Sequence, residues 1–217
     1  VRTPEGYGGP GRAVRVDLSS REEIDACADA LPLADIDILV NNAGQMTGGL
    51  LEEQDIGEIY SMFQANLVGL THLTARVLPS MVARGSGKIV NNASISGYAF
   101  FPAATTYAAS KAGVVAFTES LQRELDGTGV STLHLVTPGV NTDMLDTTEE
   151  VYGRHMATED WPKVEPEEWA ARVVKAIESD DRVLGPGGRL AIAKLASRGP
   201  AQLLDAISRR MFTRDPP

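Results

Sequence analysis

The chain has one cysteine in 217 residues, Cys27, so no internal disulfide can form. Cys27 falls on the helical pattern Arg21–Leu31, where it reads as a small helix residue and not as a nucleophile. The sequence has no run of 18 apolar residues and no signal-peptide pattern, so it offers no candidate membrane-spanning helix. Basic charge is in deficit. Twenty Lys and Arg against 29 Asp and Glu give a net charge of −9 and a pI near 4.9, which argues against nucleic acid as a partner. The three histidines, His72, His134 and His155, show no metal-ligand spacing, and no metal is expected. With 43% hydrophobic residues, the composition predicts a soluble, cytoplasmic globular domain.

A strand leading through a glycine loop into a helix is also lacking. Gly6, Gly8, Gly9 and Gly11 lie in the Gly- and Pro-rich segment 1–12, with no apolar strand before them and no helix-forming run after them. That segment reads as a flexible tail and not as a phosphate loop.

What is present is an alternation of apolar strands and helices. Ala13–Asp17 predicts a short strand and Arg21–Leu31 a helix. Ile36–Asn41 is a continuous apolar strand, followed by helices over Glu52–Phe63 and Leu67–Arg84. Lys88–Ala93 and Thr132–Thr137 are further strands, flanking a long helix Ala104–Asp126 that is closed by Gly127 and Gly129. Such an alternation implies an α/β fold whose parallel sheet is covered on both faces. Arg182–Leu184 precedes Gly185-Pro186-Gly187-Gly188. Beyond it, two short amphipathic stretches, Leu190–Ala196 and Ala201–Phe212, form a tail (189–217) with six basic and two acidic residues. A basic amphipathic tail can make weak contact with a membrane surface, or pack on its own domain or a second copy.

Three side chains carry the chemistry. Tyr107 and Lys111 are four apart, so on a helix they share a face at about 5–6 Å between Cβ atoms. An ammonium at that range favours phenolate and is expected to lower the tyrosine pKa, readying Tyr107 as an acid or base near neutrality. Ser94 ends a strand and can point its hydroxyl at the same oxygen. Each fragment is common by chance. In this order, three of them follow predicted strands: Asn41-Asn42-Ala43-Gly44, Ser94 and Pro138-Gly139. The Tyr/Lys pair opens a helix, and together these elements describe one proton-transfer site at the carboxyl ends of the strands.

The set resembles the short-chain dehydrogenases/reductases, NAD(P)-dependent oxidoreductases on a Rossmann-like doubly wound parallel sheet. Ser94 stands 13 residues before Tyr107, as in that family, and the likeness runs from about Ala13 to Ser179. The resemblance implies catalytic roles for Asn66, Ser94, Tyr107 and Lys111. It further implies cofactor contacts from Asp17 (adenine), from Asn41, Ala43 and Gly44, from Tyr107 and Lys111 (nicotinamide ribose), and from Pro138, Gly139, Val140 and Thr142 (carboxamide). Taken alone, Asn66 serves equally as a capping or kink residue, Thr142 as a turn residue and Asp17 as a strand-end cap. The cofactor is NAD or NADP, and the substrate a small carbonyl or alcohol. Helices Leu67–Arg84 and Ala104–Asp126 would form a dimer face in a homo-oligomer.

The family also opens with the strand, glycine loop and helix lacking here, so the Rossmann-like domain (13–188) reads as N-terminally truncated, its first βαβ unit missing. At about 30 residues per unit, the gap is on the order of fifty to sixty residues. Val1 in place of Met suggests a fragment, a processed chain or a late start. The strand ending at Asn41 would then have an open edge with exposed apolar surface, unless Ala13–Asp17 pairs there. In the family, segment 143–165 is the substrate lid. Its Met144, Leu145, Met156 and Trp161 favour an apolar substrate. The alternatives are a fragment or pseudoenzyme that only binds, and a peripheral membrane protein.

Overall fold

Strands such as Ile89-Val90 have no polar face to offer water and need cover on both sides. The computed structural model describes residues 4–142, 144, 151–155 and 163–186. Its helices are α1 (Arg21–Asp29), α2 (Ile56–Phe63), α3 (Leu70–Arg84), α4 (Thr105–Glu124) and α5 (Pro166–Glu178). Its strands are β1 (Ile38–Asn41), β2 (Gly87–Asn92), β3 (Val130–Leu135), β4 (Gly139–Val140), β5 (Lys163–Val164) and β6 (Val183–Leu184). Among the described residues the main sheet is parallel throughout, in the order β1-β2-β3-β6, and β4 pairs with β5 apart from it. The doubly wound α/β architecture is the one the alternation predicts.

The two faces of the sheet are covered differently. On one, Leu39, Ile89 and Val130 pack with Val77 and Met81 of α3, Leu121 of α4 and Leu125 at its C-terminal cap. On the other, Val90, Leu133 and Leu135 pack with Trp169 and Ala176 of α5. This second layer stops short of β1, where Ile38 and Val40 are 45% and 47% exposed. In the register β1 meets only β2, with Val40 opposite Val90, so among the described residues its other edge is unpaired.

Two readings need correction. Ala13–Asp17 forms no strand and pairs with nothing in the sheet. Its backbone is spent on a turn instead. Asp17 accepts hydrogen bonds from the Ser19 amide (2.9 Å) and hydroxyl (2.7 Å), its carbonyl accepts from Ser20 N–H, and its own N–H donates to Glu23. Ser20 then caps α1 by accepting from the Glu23 amide. Strand chemistry loses here to local side-chain bonding. The second correction is an addition, because α5 lies where the sequence reading placed no helix. Pro166 in its first turn and Glu167 and Glu168 behind it are helix-start signals that could have found it.

Several expectations fall on undescribed residues: Leu145, Met156, Trp161 and the tail 189–217 lie outside the described set. Residues 4–12 are described, as a single 3₁₀ turn (Pro4–Gly6) followed by irregular, exposed chain. Among the described residues no helix is long and apolar enough to cross a membrane.

Candidate active site

The carboxyl ends of β1, β2 and β3 deliver the site. β2 ends at Asn92, and two residues later Ser94 caps the 3₁₀ turn Ile95–Gly97, its Oγ accepting from the Ser96 amide at 3.1 Å. That turn lies directly on α4. A Cβ at Gly97 would come within 2.9 Å of the Lys111 carbonyl oxygen and of Val115, so only a glycine admits the contact. The contact sets Ser94 against the first turns of α4, near enough to Tyr107 for its hydroxyl to act on the tyrosine's titration.

Lys111, one turn further along, is 5% exposed. Its Nζ donates to the Asn92 carbonyl at 3.0 Å and lies 5.9 Å from the centre of the Tyr107 ring. Asn92 is held from both sides, its amide donating to Asn42 Oδ1 (2.8 Å) and its Oδ1 accepting from the Thr137 hydroxyl. A chain of polar contacts thus crosses the strand ends from β1 to β3. Among the described residues no carboxylate pairs with Lys111, and burial pulls its pKa down to about 8. The tyrosine responds the other way from expectation. Burial raises the Tyr107 pKa, and the neighbouring Ser94 hydroxyl acts to lower it. Burial thus outweighs the lowering that the four-residue spacing led one to expect, although Tyr107 is only half-buried by its exposed surface.

Asn66 sits in a single π-helical turn, Gln64–Gly69, between α2 and α3, and is 1% exposed. Its Oδ1 accepts from the Gln45 amide (2.7 Å). Its Nδ2 donates to the Gln45 carbonyl (2.9 Å) and to Ser110 Oγ (3.1 Å). Ser110 in turn donates to the Tyr107 carbonyl at 2.8 Å. Asn66 therefore pins the turn after β1 to α4. Gly44 closes the group: a Cβ there would lie 3.2 Å from Asn66 Oδ1 and 3.5 Å from Lys111 Nζ.

Not every expected residue joins this cluster. Asn41 turns inward, its amide donating to Thr74 and Asn91 at 2.9 Å each. Ala43 is exposed in the same turn. Pro138 is half-buried after β3, Gly139 and Val140 pair with Lys163 and Val164, and the exposed Thr142 returns its hydroxyl to the Val140 carbonyl at 3.3 Å. Asp17 is engaged in the turn before α1. The sequence reading missed Asn92, Ser110 and Thr137. Ser110 could have been found from its place one residue before Lys111, and Asn92 from its place two before Ser94. Thr137 gave no signal beyond ending a strand.

Residues 5–152 match the model of the short chain dehydrogenase family. The chain belongs to that family, whose members are oxidoreductases. It is 38% identical over 134 residues to the ketoacyl reductase HetN of a Nostoc species, which takes in 61% of this chain and 46% of that protein. It is 33% identical over 191 residues to mouse 17-beta-hydroxysteroid dehydrogenase 13, spanning 85% of this chain and 60% of that protein. The chain thus spans about half the length of these relatives. Among solved structures, a putative NAD(P)-dependent gluconate 5-dehydrogenase of Beutenbergia cavernae, crystallised with NADP, superposes with a TM-score of 0.69. The identity is 31%, over 85% of this chain and 78% of that one.

Proposed function

We propose that this dehydrogenase-family chain transfers hydride between a nicotinamide dinucleotide, NAD or NADP, and an apolar carbonyl or alcohol compound. The observation that carries the reading is the convergence of Ser94, Tyr107, Lys111 and Asn66 at one sheet rim. A bound nicotinamide would supply or accept the hydride. The chain's own residues fit that group on its nicotinamide side. Lys111 is buried with one carbonyl acceptor for its three donors, so two remain for a ribose diol. Gly44 leaves space beside that ammonium. The bound dinucleotide solved with the Beutenbergia protein is consistent with the same use. No glycine loop opening a helix occurs among the described residues, so the pyrophosphate side has no such support.

Ser94 orients the substrate oxygen, and its hydrogen bond strengthens as negative charge grows there. Tyr107 moves the proton. With its pKa raised it stays a phenol at neutral pH, the form that donates a proton to a carbonyl oxygen. Lys111 and Asn66 hold the tyrosine's surroundings in place. Tyr60 and Val68, 68% and 50% exposed on α2 and the π turn, offer apolar surface for a second copy, and a homodimer is the assembly proposed.

Calorimetric titration of the purified chain with NADH and NADPH tests the reading directly. Saturable binding, with carbonyl-dependent oxidation reduced at least ~100-fold in Tyr107→Phe, is the expected result. A folded chain that binds neither dinucleotide would leave it a fragment or pseudoenzyme and sink the oxidoreductase reading for this chain.

A further inference from the structure

The helix that presents Tyr107 begins without the device that usually holds a helix start. Ala104 stands at the cap of α4, and an alanine there has no side chain to accept from the first amides. The residue before it, Ala103, enters the helix at φ +61°, a left-handed backbone that favours glycine. Tyr107 is only the third residue of α4, so its aim depends on how firmly this first turn is held.

Two buried hydroxyls hold it from the side. Thr106 donates to Gln54 Oε1 at 2.6 Å. Gln54 in turn donates from Nε2 to the Gly49 carbonyl at 2.9 Å, and the Gly49 amide donates to the Ala103 carbonyl at 2.8 Å. One glutamine thus closes a loop of bonds around the entry to the helix. One turn further on, Ser110 accepts from Asn66 Nδ2 at 3.1 Å and donates to the Tyr107 carbonyl at 2.8 Å. Thr106 and Ser110 are four apart and share a face of α4, pegged to Gln54 ahead of α2 and to the π turn. Tyr107 and Lys111 follow them by one residue each, about 100° round the helix. Turning or lifting the pegged face turns the reacting face with it.

We propose that Thr106 and Ser110 are positioning residues, which hold Tyr107 on target through their lateral bonds to Gln54 and Asn66. Both hydroxyl protons are spent inside the protein, so neither residue is offered to a substrate. The inference rests on the reading of Tyr107 as the proton donor. A misplacement of about 1 Å costs on the order of 100-fold in rate, so the loss of one peg is measurable.

The test uses the full chain labelled with [13Cζ]tyrosine, the Tyr107 signal being the one lost in Tyr107→Phe. Thr106→Val keeps the shape and removes the hydroxyl, Thr106→Ser keeps the hydroxyl, and Ser110→Ala removes the second peg. Thr118→Val is the control. It deletes a buried hydroxyl further along the same helix, one that accepts from Asn91 and donates to the Val114 carbonyl. In Thr106→Val and Ser110→Ala the Tyr107 signal is expected to shift. Its titration midpoint should fall, because burial holds it up and a loosened ring meets more water. With acetophenone and the dinucleotide that binds, kcat should drop ~10- to 100-fold and KM should change little. Thr106→Ser and Thr118→Val keep the wild-type signal, midpoint and kcat. Thermal unfolding identifies any variant that has lost its fold, and Gln54→Met, which removes the same bond from a half-buried side chain of equal length, then decides. A folded variant whose Tyr107 signal and midpoint stay put overturns the role of the residue it changes. An equal response from Thr118→Val overturns both. The signal needs neither cofactor nor turnover. A wild-type chain without turnover would therefore strike the oxidoreductase reading and leave the two pegs to be judged on the tyrosine signal.

Discussion

A lysine sealed from water, with no acid beside it among the described residues, is held against its own preference. Lys111 titrates near 8 in the folded chain and near 10.5 when unfolded, because burial penalises the ammonium. Between those values the unfolded chain binds more protons, so raising the pH stabilises the fold; below 8 the full penalty is present. The penalty is about 3 kcal/mol, from about 1.4 kcal/mol per pKa unit, and is offset in part by the bond to Asn92. Lys111→Met is therefore expected to unfold at a higher temperature than the wild-type chain at pH 7 while losing activity. The advantage should shrink as pH rises from 8 to 10.5. A Lys111→Met chain less stable at pH 7 would mean that the ammonium has a partner stronger than one carbonyl. For Tyr107 the sign is opposite: with its folded pKa raised, its contribution holds below pH 10 and is lost as pH climbs above that. The pairing of Tyr107 with Lys111 was legible from a four-residue spacing. The direction of the tyrosine shift was not, because spacing fixes distance and says nothing of how dry the surroundings are.

At the scale of elements, the site depends on how closely the Ile95–Gly97 turn can approach α4. Gly97→Ala sets a methyl group 2.9 Å from the Lys111 carbonyl oxygen, a backbone atom that cannot rotate away. The variant is expected to lose about 1–3 kcal/mol of stability, read by urea unfolding, and to lose turnover beyond what that loss explains. Unchanged turnover would show that Ser94 reaches Tyr107 without this contact. Elements with strong periodicity or punctuation were readable. β1 is an apolar run, β2 centres on Ile89-Val90, and α4 begins near Ala104 and ends before Gly127. Ala13–Asp17 misled because its alternation is short and Asp17 and Ser19 offered the backbone better partners. The inward turn of Asn41 was hidden for a related reason, since its partners Thr74 and Asn91 are 33 and 50 residues away.

At the scale of the whole molecule, the described residues cover the sheet on one face along β1, β2 and β3, and on the other where α5 reaches. Ile38 and Val40 stay half exposed on the edge strand, an arrangement that invites pairing or adsorption. A dye that lights up on apolar surface should bind the wild-type chain, and Ile38→Lys should weaken that signal and delay aggregation on warming. No dye binding by the wild-type chain would show that this face is covered in solution. Ile38 and Lys88, its partner in the register, belong to the amino ends of their strands, opposite the rim that carries Ser94. Changes there are expected to alter solubility and leave turnover alone.

The parallel register sets a clock as well as a shape. Val40 and Val90 lie fifty residues apart in the chain, and no hairpin can bring them together. Closing so long a loop costs entropy before any ladder bond repays it, so sheets of this kind form slowly. During synthesis β1 emerges well before β2, and its apolar residues wait without a neighbour. Yield in a host cell should therefore follow growth temperature and chaperone supply more closely than it follows the stability of the finished fold.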